Sequence, residues 1–200
     1  MYLTKVKMEL REALPLLRDC QKMHQFVTGL FQTDRKTSNI QYRTHIARSI
    51  FSLYIYSDNP VKVAPSYCSF EQVDLTETLD NIKNNQILGL DIIAIPCKKT
   101  AINGQKNSQR RVLRTADERM EWLRRKSDGA GFNILVAHEL GSVRTSGRHR
   151  IDKGGDMCLD AYHYQCTILI TDASAFRQTI LRGIGPGKAY GMGMMLLKAL

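Results

Sequence analysis

An imidazole at the edge of an apolar helix stripe and a lysine set among glycines are the groups in this sequence whose types and spacing suit chemistry. Cys20, Met23, Val27, Leu30 and Phe31 recur at three- and four-residue intervals after Asp19, a pattern that predicts a capped helix with one buried face. His24 follows Met23 and so lies at the border between core and solvent, placed to face a cleft. An unperturbed imidazole titrates near pH 6.5 and can give or take a proton at neutral pH, as cleavage of RNA by its own 2′-hydroxyl requires. The same spacing also suits a histidine that merely borders the core.

The second group is the run Gly183-Ile184-Gly185-Pro186-Gly187-Lys188-Ala189-Tyr190-Gly191-Met192-Gly193, which precedes an apolar segment that reads as a final strand. Glycines remove Cβ atoms, so that backbone N–H groups can approach phosphate oxygens closely. A tight helix-to-strand turn would use the same residues. Tyr190 stands where the RNA-recognition-motif fingerprint has an aromatic, but Lys188-Ala189-Tyr190-Gly191 matches only part of it. A core-facing strand position is the alternative for that ring.

Of the other histidines, His45 and His163 fall in expected strands, His138 falls in an unassigned loop, and His149 belongs to a basic stretch. That stretch, VRTSGRHRIDKGG, reads as a hairpin or loop in which Arg144, Arg148, His149, Arg150 and Lys153 can engage phosphates. A solvated loop is the bland reading. Further basic clusters occur at Lys98-Lys99, at residues 106–114 and at Arg124-Arg125-Lys126, all in the second half. Lys and Arg exceed Asp and Glu by 29 − 19 = 10, so the mean field favours polyanions and makes nucleic acid the leading partner class. The five cysteines share no CxxC spacing, which fits reduced thiols and gives no metal site; no cofactor is implied either. No run approaches the roughly 20 apolar residues of a membrane span, and the N-terminal segment lacks a signal-type apolar core. A cytoplasmic protein without membrane association is expected.

These groups need elements to hold them. Residues 1–10 suit a strand, residues 40–47 and 49–56 a strand pair, and residues 69–75 a fourth strand, with the second helix of this unit missing or degenerate. After a polar stretch at 76–86, ILGLDIIAIP reads as a strand, and Thr115-Ala116-Asp117-Glu118 as a capping box opening a helix to Gly129. HYQCTILIT is the next strand, and Asp172 caps a helix that stops at Gly183. The order β-α-β-β-α-β predicts an α+β chain of two tandem ferredoxin-like (RRM-like) domains with antiparallel sheets, at residues 1–80 and 86–200. Each sheet is expected to bury one face under helices and leave the other free.

The opening MYLTKVKMEL, the KMHQ segment, RVLR with WLRRK, and ILRGIGPGKAYGMGMMLL together resemble, in order and along essentially the whole chain, the CasE family of CRISPR-associated endoribonucleases of type I-E systems. The resemblance implies a metal-independent enzyme that binds the stem-loop of a CRISPR repeat and cuts at the 3′ base of the stem. It leaves a 2′,3′-cyclic phosphate and a 5′-hydroxyl, keeps its product, and works with other Cascade subunits. His24 matches the family's catalytic histidine, as base on the 2′-hydroxyl or acid on the 5′-oxygen. Some members carry a tyrosine three residues earlier; here that position is Gln21, which cannot titrate and could at most hydrogen-bond, to stabilise the phosphate or the transition state. Lys188, with the amides around Gly185, Gly187 and Gly191, would hold the RNA backbone or neutralise charge on the phosphorane. A non-catalytic RNA-binding module of the same fold is the main rival, and a small-molecule enzyme on this scaffold a more distant one.

Overall fold

A computed structural model describes residues 1–32, 37–100, 109–148 and 155–200. The elements are β1 (Tyr2–Glu9), α1 (Leu10–Leu17), α2 (Cys20–Gly29), β2 (Gln41–Ala47), β3 (Ile50–Ser57), β4 (Ser69–Asp74) and α3 (Thr76–Asp80) in the first part. The second part holds β5 (Ile87–Ala94), β6 (Cys97–Thr100), β7 (Gln109–Val112), α4 (Ala116–Ser127), β8 (Phe132–Arg148), β9 (Asp156–Ile170), α5 (Ala173–Arg182) and β10 (Met195–Lys198). Among the described residues the strands form two four-stranded antiparallel sheets and a two-stranded ribbon. The sheet orders are β2-β3-β1-β4 and β10-β5-β9-β8. In each, the first and third strands are central and the second and fourth are edges, which is the ferredoxin-like arrangement. The fold is therefore α+β with two such units in tandem.

Alternation along β1 and β3 divides the first sheet's residues between two cores. Val6, Met8, Phe51, Leu53 and Ile55 pack with Met23, Val27 and Phe31 beneath α2. Leu3, Tyr54 and Tyr56, on the other face, join the core of the second unit beside Leu90, Trp122, Phe132, Tyr164 and Phe176. That second face is consequently not left free, contrary to the expectation from sequence, and its burial seats one unit on the other.

Other departures have local causes. Helix α1 contains Pro15, which removes a donor from its interior; Ala13 is its buried residue, and α1 packs against α2. The first unit's missing helix is confirmed in its expected place between β3 and β4, but the short α3 follows β4 instead, inside the polar stretch. His138 lies on β8 and not in a loop, because β8 runs for 17 residues as a paired edge strand. Among the described residues no helix is long and apolar enough to cross a membrane.

Candidate functional site

Helix α2 carries His24 as its sequence predicts. Asp19 caps it by accepting from the Gln21 N–H at 2.9 Å, while Cys20, Met23 and Val27 turn into the core. His24 and Gln21 are therefore left half-buried one turn apart on the border face. The Thr28 hydroxyl donates to the His24 carbonyl at 3.1 Å, one helical turn on.

The glycine run delivers a turn to that face. Lys188–Tyr190 form a single 3-10 turn, bracketed by Gly187 at φ 80° and Gly191 at φ 84°. A Cβ on Gly191 would stand 3.0 Å from Tyr42 Cε2, so the turn could not seat with a larger residue there. The Tyr42 hydroxyl donates to the Ala189 carbonyl at 3.0 Å, fastening the turn to β2. Tyr190 thus belongs to a turn and not to a strand, and its ring meets His24 edge-on with centroids 6.1 Å apart and planes at 65°. The Tyr190 hydroxyl lies 3.5 Å from Gln21 Oε1. Burial, with Cys20 adding to it, raises the Tyr190 pKa and keeps the phenol protonated. Lys188 opens the same turn, half-buried.

A buried ionic cluster holds the two sheets in this register. Arg43 of β2 pairs with Asp91 of β5, both side chains less than a tenth exposed. His163 Nε2 lies 2.7 Å from Asp91 Oδ1 and 3.0 Å from the Arg43 guanidinium, and Gln165 donates to Asp91 Oδ2 at 3.2 Å. Burial pushes the Asp91 carboxyl up, but the hydrogen bond and charge of Arg43, with the bonds of His163 and Gln165, bring it down to about 2. Gln41 adds amide donors to the Ile180 and Leu181 carbonyls at 2.9 and 2.8 Å, tying β2 to the end of α5.

The long β8–β9 pair reaches back over α2. A Cβ on Gly147 would fall 2.6 Å from Cys20 Sγ and 2.7 Å from Asp19 Oδ1, so the strand lies directly on the start of the helix. Beside it Arg18, Lys22 and Arg148 line an open groove of about 540 Å³. Arg144 and Arg148 are exposed and meet Asp160 and Asp156 across the strands at 2.6 and 3.7 Å. Exposed pairs of this kind contribute little to stability and yield readily to a phosphate. His149, Arg150 and Lys153 lie outside the described residues.

A second basic hollow, about 790 Å³, lies between the β6–β7 ribbon and the start of α4, lined by Lys98, Arg110, Arg111 and Arg114 with Tyr162 in its wall. The Arg119 guanidinium stacks 3.9 Å from the Tyr162 ring and pairs with Glu139, so that wall is fixed. The charge clustering at 98–99 and 106–114 was its sequence signal; the β6–β7 pairing that gathers it was not legible. All five cysteines are free thiols, and among the described residues no group of His, Cys, Asp and Glu gathers as a metal site.

The sequence pattern of the CRISPR associated protein family matches residues 1–199. The chain belongs to this family. Its CasE resemblance is thereby sustained over the whole chain. A CRISPR-associated endoribonuclease Cse3 from Thermus thermophilus is 28% identical over 123 residues, 57% of this chain and 56% of that protein. The aligned part thus spans little more than half of the relative's length. A structure of the CRISPR endoribonuclease Cse3 bound to a 19-nucleotide RNA superposes with a TM-score of 0.85 at 22% identity, over 99% of this chain and 100% of that one. Cas6e from Escherichia coli K-12 matches with a TM-score of 0.73 at 22% identity over the full length of both chains. In this chain α2 and the glycine turn face one another across the two units.

Proposed function

We propose that this protein is a metal-independent endoribonuclease that binds the stem-loop of a CRISPR repeat and cuts precursor CRISPR RNA at the 3′ base of the stem. The observation that carries the proposal is the meeting of His24, on the first unit, with the Lys188–Tyr190 turn of the second. A half-buried imidazole beside a lysine-bearing turn is what transesterification by an adjacent hydroxyl needs. The ribose 2′-oxygen attacks phosphorus, the P–O5′ bond breaks, and the 2′-hydroxyl proton leaves as the 5′-oxygen gains one. The products are a 2′,3′-cyclic phosphate and a 5′-hydroxyl. His24 supplies one of the two proton transfers, worth about 10²- to 10⁴-fold in rate. Lys188, with the backbone around Gly185 and Gly187, offsets charge on the phosphorane.

In this reading residues 1–80 form the domain that carries the acid–base group, and residues 86–200 form the one that grips RNA. Arg144, Arg148, His149, Arg150 and Lys153 hold the stem's phosphates, with Tyr190 beside the scissile junction. The hollow lined by Lys98, Arg110, Arg111 and Arg114 continues the basic track, since a duplex RNA is read through shape and phosphates. The protein retains its product and works in the cytoplasm with other Cascade subunits.

Incubation of the purified protein with its cognate repeat hairpin in EDTA tests the proposal. Cut RNA ending in a cyclic phosphate is expected. Tight binding without a cut would leave a non-catalytic RNA-binding protein, and salt-insensitive or absent binding would discard RNA as the substrate. The pH profile of the single-turnover rate assigns His24: a rise through the imidazole range marks the base, a fall marks the acid.

A further inference from the structure

His24 is carried by one unit, yet the ring against it comes from the other, 166 positions along the chain. Three observations bear on what that ring does. The centroid separation of 6.1 Å and the interplanar angle of 65° are those of an edge-to-face aromatic pair, one of the arrangements that such rings favour. The ring's far end is held, since its hydroxyl lies 3.5 Å from Gln21 Oε1, on the same face of α2 and one turn before the histidine. Its near end is held too: Gly187 and Gly191 fix the turn at both sides, and Tyr42 bonds the carbonyl of Ala189, the residue before the ring. An imidazole turns about two side-chain torsions, and each contact that narrows them keeps a proton-transfer group nearer the one position from which it acts.

We propose that Tyr190 is a positioning residue for His24: its ring fixes the plane of the imidazole, and Gln21 anchors the ring by accepting from its hydroxyl. The proposal rests on the endoribonuclease reading and adds to it the part that makes the site a property of both units together. Cleavage then depends on the docking of the glycine turn, and a chain in which the units separate loses it even with His24 intact. Gln21, which cannot titrate, acquires a role as the acceptor that sets the ring's tilt.

The two readings are tested apart. In the unliganded wild-type protein, nuclear Overhauser effects between the Tyr190 ring protons and the His24 imidazole protons are expected, with His24→Ala used for assignment. Their absence overturns the positioning proposal without touching the nuclease reading. In single-turnover cleavage of the repeat hairpin, Tyr190→Leu is expected to lower the rate at saturating protein about 10²-fold, the scale of an ångström-sized misplacement, with hairpin affinity within a few-fold. Tyr190→Phe keeps the ring and is expected to restore the rate to within a few-fold of wild type. Gln21→Ala should match Tyr190→Phe, and the double variant should lose no more than either, because both remove the same bond. Wild-type rates in Tyr190→Leu, or a loss in Tyr190→Phe as deep as in Tyr190→Leu, overturn the proposal. Should Tyr190→Leu fail to fold, the Phe and Gln21 cycle and the Overhauser effects still decide it. If wild-type protein cuts no hairpin at all, the nuclease reading fails, and the Overhauser effects alone judge the ring pair.

Discussion

Removing the charge of Asp91 should cost this protein more than removing its partner Arg43, although the two form one ion pair. Both side chains are less than a tenth exposed, so neither charge can turn to water when left alone. Asp91→Asn keeps the shape and leaves the Arg43 guanidinium buried without a counter-charge, with His163 Nε2 at 3.0 Å beside it. Breaking a buried pair this way costs about 3–5 kcal/mol. Arg43→Met leaves Asp91 better provided, with His163 at 2.7 Å, Gln165 at 3.2 Å and the Lys198 ammonium at 3.4 Å. Its cost should be about 1–2 kcal/mol, the scale of one charged hydrogen bond removed among several. The pair Arg43→Met with Asp91→Leu should recover much of the loss, since an apolar replacement of a buried ion pair is often neutral.

The pH dependence gives an independent measure. Asp91 has a folded pKa of about 2 against an ordinary 3.8, so its lowered value contributes roughly 2 kcal/mol. That contribution is present above about pH 4 and is lost as the pH falls toward 2. Urea unfolding followed by tryptophan fluorescence, with Trp122 buried in the second core, reads both effects. Wild type should lose stability between pH 4 and 2, and Asp91→Asn should show a flatter curve over that window. A larger loss in Arg43→Met than in Asp91→Asn, or single costs that simply add in the double variant, would refute the reasoning.

Other outcomes follow from the site. His24→Ala should abolish cutting of the repeat hairpin while gel-shift affinity stays within a few-fold; equal losses in both would make the histidine a structural or binding residue. Arg144→Ala with Arg148→Ala should weaken hairpin binding and lower the slope of log K against log salt by about one for each phosphate no longer neutralised, and unchanged affinity would remove these strands from the interface. Gly191→Ala places a Cβ at φ 84° and 3.0 Å from the Tyr42 ring, so it should cost at least about 1–2 kcal/mol by thermal unfolding and lower cleavage with it. A Gly191→Ala protein of wild-type stability and rate would show that the turn does not depend on its glycine.

What could be read from the chain was local. Asp19, Thr115 with Glu118, and Asp172 mark helix starts because a capping side chain acts on amides two or three residues away, and each caps as its position predicts. What escaped was set by distant partners or broken periods. β8 hides its nature because register shifts between Ile134 and Val136 and between Glu139 and Gly141 interrupt alternation, and its outward Leu135, Val136 and Leu140 do not read as half of a buried strand. For Tyr190 the sequence leaves a strand position open beside an RNA-facing one until Gly187 and Gly191 are seen to wind a turn between them, and its approach to His24 spans nearly the whole chain.

Asp91 lies between these cases. A single carboxylate inside ILGLDIIA, on a strand buried along almost its whole length, stays ionised only if donors or a cation lie against it. Which of the 29 lysines and arginines answers is a matter of topology. Arg43 answers because β2 turns Tyr42 toward the first core, leaving its neighbours Gln41 and Arg43 to face the second unit. The residue that orders the two sheets is thus selected by the same alternation that aims Tyr42 at the glycine turn. One strand, through adjacent residues, couples the assembly of the units to the placement of the ring beside His24.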